Sequence, residues 1–278
     1  MQTILPDHSG VMHFISGLPR SGSTLLAAIL RQNPRFTASM SSPVCGLVRK
    51  LLDGMSANNE FASFITDEQR RRILRGVFEN YYGDDFTSRT VFDTNRAWSN
   101  CLPLLGDLFP GCRVIACVRD VPWILDSIER LVRRNCLAAS GMFNFDSAGS
   151  VYTRAEAVAR ADGMLGYGYN ALKEAFYGEQ TDRLMLVRYE TLVQDPRRVL
   201  SAVYDFIGET NFAHDLKNIR FDAEAFDRRM GTPGLHQIRP AIGWQPRRNL
   251  LPPNLIARFA DDAFWNHPNA NPNGVRVI

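Results

Sequence analysis

The chain has 278 residues, 45% of them hydrophobic, and a formal net charge of +3 at pH 7. That length and apolar content support a well-filled α/β core, and we expect residues 1–278 to form one domain. A charge this small gives no reason to expect nucleic acid as a partner. The roughly 18-residue apolar run of a membrane span and the basic, then apolar, start of a signal peptide are both missing, so the expectation is a soluble, cytoplasmic protein.

The first predicted strand, His13–Ser16, runs into Gly17-Leu-Pro-Arg20-Ser-Gly22-Ser-Thr24 and then an apolar helix expected over Ser23–Arg31. Gly17 and Gly22 have the Gly-x-x-x-x-Gly spacing of a phosphate-binding loop. Both can take positive φ, which turns backbone N–H groups inward as an anion nest at a helix N-terminus. Ser23 stands where a nucleotide-triphosphate-binding loop has Lys, and Arg20 supplies the positive charge instead. A guanidinium grips phosphate or sulfate oxygens with paired donors and needs no metal.

A helix is expected over Asp67–Tyr82, followed by a strand at Thr90–Phe92 that ends at Asp93, with Arg96 close behind. Asp93 has two readings, a general base or a group that orients Arg96 or the phosphate loop. The next strand, Val114–Val118, delivers Arg119 and Asp120 at its carboxyl end; a helix over Trp123–Cys136 carries Ser127 two turns in. Arg119 and Ser127 can converge on one phosphate, or Arg119 can equally pair with Asp120 or cap a helix. Helical patterning over Arg154–Tyr177 and a strand at Leu184–Val187 complete the alternation of βαβ crossovers. The expected fold is therefore α/β: a three-layer, P-loop-like arrangement with a mostly parallel central sheet flanked by helices, binding ligands beyond the strands' carboxyl ends.

From Arg228 through Ala260 there are six arginines and His236 but no Asp, Glu or Lys. Within it, Gly231–Asn254 is rich in Gly and Pro and is either disordered or a functional loop. His236 is a second candidate base, because imidazole titrates near neutrality. The five cysteines form no CxxC pair and read as buried thiols.

Gly17-Leu-Pro-Arg-Ser-Gly-Ser-Thr-Leu-Leu26, Arg119-Asp120 with Ser127, Leu186-Val-Arg-Tyr189-Glu-Thr-Leu192 before Asp195-Pro196, and the Pro233-Gly-Leu-His236 and Arg247 to Pro253 stretch together resemble the sulfotransferases that use 3′-phosphoadenosine 5′-phosphosulfate, PAPS. The likeness spans residues 13 to about 260 and leans toward the bacterial and tyrosylprotein-type branches. It implies that Gly17, Pro19, Arg20, Ser21, Gly22, Ser23 and Thr24 hold the 5′-phosphosulfate, that Arg119 and Ser127 hold the 3′-phosphate, and that Tyr189 lies near the adenine. It also implies Arg247 and Arg248 as additions to the clamp, sulfuryl transfer to an acceptor hydroxyl, and no required metal. The acceptor is left open among a small molecule, a carbohydrate and a peptide tyrosine, and a homodimer is permitted.

Two positions depart from the family pattern. The tyrosylprotein branch has a Glu base where this chain has Ser41, and many members have a Lys after the second strand's Asp where this chain has Thr94, which makes Arg96 the candidate replacement. Two other readings stay open: a kinase of the P-loop type with Asp93 holding Mg²⁺, and a non-catalytic nucleotide-binding module.

Overall fold

In the computed structural model, residues 10–56, 60–137 and 149–278 are described. Six strands, β1 (Met12–Gly17), β2 (Phe36–Ala38), β3 (Thr90–Thr94), β4 (Val114–Val118), β5 (Leu184–Arg188) and β6 (Arg276–Val277), form a parallel sheet in the order β2-β3-β1-β4-β5-β6. The order reverses direction around β1, and a crevice opens at such a point beyond the carboxyl ends of the strands.

Period-two alternation fills both faces of this sheet. On β4, Val114, Ala116 and Val118 join one apolar cluster while Ile115 and Cys117 join the other, and on β5 Leu184 and Leu186 oppose Met185 and Val187 in the same way. The first cluster takes side chains from the helices Val44–Gly54, Asp67–Tyr82, Leu102–Leu108, Val121–Arg134, Val151–Ala159 and Met164–Tyr177. The second takes them from Ser23–Leu30, Tyr189–Gln194 and Pro196–Ile207. Central strands buried on both faces are mostly apolar, which explains why β1, β4 and β5 stand out in the sequence.

Several expectations are corrected. The patterning over 154–177 does not make one helix: the chain turns between Val151–Ala159 and Met164–Tyr177, where a Cβ on Gly163 or Gly166 would strike carbonyl oxygens of residues 157–160. Strands β2 and β6 have three and two residues, too short to leave a period. The helix expected from Trp123 starts two residues earlier, at Val121, with Pro122 in its first turn, where its missing N–H costs nothing. Cys136 is exposed, whereas the other four cysteines are buried thiols as expected. Among the described residues no helix is long and apolar enough to cross a membrane.

One buried polar side chain ties β1 to the segment before β4. His13 is 1% exposed, and its Nδ1 accepts the backbone N–H of Arg113 at 3.1 Å. Burial, and then the Arg113 guanidinium, push its pKa down from 6.5 to about 4. Above pH 6.5 the ring is neutral in folded and unfolded chains alike. Between 6.5 and 4 only the unfolded chain takes up the proton, so stability falls with pH by roughly 3 kcal/mol in all. His13→Asn, which keeps an acceptor for the Arg113 N–H, is expected to remove that component, measured as the change in urea unfolding free energy between pH 7 and pH 4.5.

Candidate functional site

The turn after β1 is shaped by three positive φ angles: Gly17 at 108°, Arg20 at 57° and Gly22 at 98°. Leu18 donates its N–H to the Cys117 carbonyl at 2.9 Å, and a Cβ on Gly17 would strike that same carbonyl, so β1 and β4 approach more closely than a side chain would allow. Ser21 is fully buried and donates its hydroxyl to the Leu18 carbonyl, closing the turn from inside. The helix Ser23–Leu30 has Gly22 as its N-cap, with no side-chain cap and no acidic residue in its first turn. Its first N–H groups are left for an anion.

Three guanidinium groups converge on this turn. Arg20 donates from Nε to Ser127 Oγ at 3.1 Å and from Nη1 to the Leu235 carbonyl. Arg119 is 8% exposed, donates from Nη1 to the Arg20 carbonyl at 3.3 Å and lies over the Tyr189 ring with its Cζ 4.2 Å from the centroid. Arg247 pairs with the fully buried carboxylate of Asp126 at 2.6 Å and lies over Trp123. Burial, then the charge on Arg119, push Arg20 down to about 10, and burial lowers Arg119 as well. An anion placed beside either guanidinium favours its charged form.

The counter-charges stand behind the arginines. Asp126 also receives Arg130 and the Leu250 N–H, while Glu190 lies 3.8 Å from Arg119 Nε, too far for a hydrogen bond. Among the described residues the buried Nε of Arg119 therefore has no hydrogen-bond partner, only the Glu190 carboxylate at ion-pair distance.

These groups open on a cavity of about 710 Å³, within the range of small-molecule sites. Pro19, Arg20, Gly22, Ser23, Thr24, Arg119, Ser127, Tyr189, His236 and Arg247 all line it, so the structure brings together segments that lie far apart in the sequence. Gly17 and Ser21 shape the loop from behind. The Gly231–Asn254 stretch is a functional loop in its placement: residues 234–247 form one wall.

Two expected site residues are placed elsewhere. The Arg248 side chain is exposed and off the cavity wall, and its carbonyl accepts from Arg130, so it orients the loop from outside. Asp93 is fully buried behind the cavity, and its side-chain hydrogen bonds among the described residues reach neither Arg96 nor the phosphate loop. Its carboxylate accepts from Ser42 Oγ at 2.6 Å, Tyr82 OH at 2.6 Å and Trp98 Nε1 at 2.7 Å, and burial away from the cavity wall keeps it from a substrate or a Mg²⁺ ion there. Ser41, Thr94 and Arg96 do line the cavity.

Three contributors escaped the sequence reading. The Leu235 carbonyl and Asp126 have no motif of their own, although Asp126 adjoins Ser127. Asp227, 2% exposed, accepts the His236 backbone N–H at 2.8 Å and contacts His236 Nδ1 at 2.6 Å. It lies just before the stretch singled out for its one-signed charge.

A profile described as the Sulfotransferase family matches residues 13–213, more than half of the sequence, and takes in the loop, Arg119, Ser127 and Tyr189. The chain belongs to the sulfotransferase family. Its fold is similar to the sulfotransferase domain of the curacin biosynthetic pathway, at 18% identity with 79% of this chain and 80% of that one covered and a TM-score of 0.50. It is also similar to the sulfotransferase domain of the Synechococcus PCC 7002 olefin synthase, at 22% identity, 90% and 94% coverage and a TM-score of 0.50. No curated protein matches the sequence.

The Gly22 position tests how tightly this family member packs its loop. A Cβ there would lie 2.9 Å from Tyr189 Cδ2, at a φ that side chains rarely adopt. Gly22→Ala is expected to cost about 1–3 kcal/mol of unfolding free energy, measured by urea denaturation.

Proposed function

We propose that the chain, acting as one domain, transfers a sulfuryl group from PAPS to the hydroxyl of an acceptor by in-line displacement. The observation that carries this reading is the pairing of two anion sites across β1 and β4: the metal-free loop with Arg20, and Arg119 with Ser127. PAPS, when bound, supplies the sulfuryl group and leaves as the 3′,5′-bisphosphate.

The residues divide this work by position. Arg20, the loop N–H groups and the hydroxyls of Ser23 and Thr24 serve as preorganised donors for charge that builds on the 5′-phosphate. Arg119, Ser127 and Arg247 hold the 3′-phosphate, which ATP lacks. Tyr189 packs between Arg119 and Gly22 and offers its ring edge to the adenine. With Asp93 occupied by three donors and Ser41 in place of the tyrosylprotein-type Glu, the base role passes to His236, and Arg96 replaces the missing Lys. The acceptor side is the β3 and β2 end of the cavity, with Met40, Ser41, Thr94 and Asn95 on its wall. Small-molecule, carbohydrate and peptide tyrosine hydroxyls all meet its chemistry.

The test is calorimetric titration with 3′,5′-adenosine bisphosphate in the absence of metal, against ATP with Mg²⁺, for the wild type and Arg119→Ala. The expected outcome is tight bisphosphate binding, weak ATP binding and a loss of about 10- to 100-fold in bisphosphate affinity in the variant, as for a charge-assisted contact. A preference for Mg²⁺–ATP would replace this reading with a kinase. Bisphosphate binding without product release from PAPS across a hydroxyl panel would replace it with a nucleotide-binding module.

A further inference from the structure

His236 does not stand alone. Its Nδ1 lies 2.6 Å from Oδ1 of Asp227, whose other oxygen accepts the His236 backbone N–H at 2.8 Å. The Asp227 side chain is 2% exposed, and its own backbone is fixed by bonds to Ala223 and Thr232. An ionised carboxylate accepts hydrogen bonds and donates none, so the hydrogen between the two groups belongs to Nδ1. The neutral ring then has its lone pair on Nε2, which has no hydrogen-bond partner among the described residues.

The location of the pair gives this tautomer a use. The neighbouring Leu235 carbonyl is held by Arg20, the guanidinium of the phosphate loop, and His236 lines the same cavity as Ser23 and Thr24. The ring is thus anchored one residue from the carbonyl that Arg20 holds, and Phe226 packs against it in an edge arrangement at 5.5 Å between centroids. A buried carboxylate behind an imidazole fixes the ring's orientation and offsets the positive charge that it acquires with a second proton.

We infer that Asp227 and His236 form a dyad in which Asp227 is a positioning residue and His236 Nε2 takes the proton of the acceptor hydroxyl. The proton moves from that oxygen to Nε2, and the O–H electron pair forms the new bond to sulfur. The pair of the broken S–O bond stays on the 5′-phosphate. No oxidant, metal or further reactant is needed. The inference rests on the sulfuryl-transfer reading above, and nothing in the family likeness of residues 13–213 assigns Asp227, which lies beyond that match.

Asp227→Asn tests it, because Asn keeps the size but presents an N–H₂ to one of its two contacts. The full-length chain, labelled with ¹⁵N in its histidines and assigned with His236→Gln, is examined by long-range ¹H–¹⁵N spectra above the ring's titration. The wild type is expected to show Nδ1 protonated and Nε2 bare, and Asp227→Asn the reverse. Affinity for 3′,5′-adenosine bisphosphate is expected to stay within threefold in both variants, while turnover of PAPS falls at least 100-fold through kcat and recovers in part in Asp227→Glu. A wild-type ring protonated on Nε2, or a variant that loses bisphosphate affinity and turnover together with its tautomer unchanged, would overturn the dyad and leave Asp227 as a staple of the loop. Absence of bisphosphate binding by the wild type, with the tautomer as expected, would instead overturn the sulfuryl-transfer reading on which the proton step depends.

Discussion

Mutual repulsion among Arg20, Arg119 and Arg247 at the carboxyl edge of a parallel sheet is the constraint around which this molecule is organised. Three cations brought together in a partly dehydrated setting are costly unless each has a fixed partner, and each is held differently. Arg20 leans on a serine hydroxyl and a carbonyl, Arg119 on the face of Tyr189, and Arg247 on Asp126. The carboxylates stand behind the arginines and off the cavity wall, so the positive field points into the cavity. The sheet contributes by geometry: β1 and β4 deliver their loops side by side because Gly17 lets the two backbones nearly touch.

The rest of the architecture keeps these groups from relaxing. Asp93 gathers the Ser42 and Tyr82 hydroxyls and the Trp98 indole into one buried knot, which locks the segment after β2, the helix Asp67–Tyr82 and the turn after β3 to one another. Desolvation holds the Asp93 carboxyl above the usual carboxylate range even with three donors aimed at it. Such a knot is worth more to specificity of packing than to net stability.

The sequence made the middle of the fold legible and its edges obscure. β1, β4 and β5 are buried on both faces and mostly apolar, so they stood out; β2 and β6 add only a few backbone bonds at the margins and had no pattern to show. The phosphate loop was readable because positive φ demands glycine and anion binding demands a guanidinium, and both demands fall within eight consecutive residues. Arg119 and Ser127 were readable once their spacing was set on a strand and a helix. Asp126, Asp227 and the Leu235 carbonyl were not, since they act across long sequence separations and one of them is a backbone atom. Asp93 ends a strand at the ligand side, as a catalytic acid would, and only its burial among three donors shows that it stands off the cavity. Arg248 shares its charge with Arg247, but the turn of the backbone sends the two side chains in different directions.

The bond from Arg20 to the Leu235 carbonyl joins residues 215 positions apart, and the stretch by which the family is detected ends at residue 213. The portion of the chain that announces its ancestry is therefore smaller than the portion that completes the cation cluster. A shortened version limited to that portion would retain the strand, the glycine turn and the first helix while stripping Arg20 of its carbonyl and Arg119 of its neighbour Arg247.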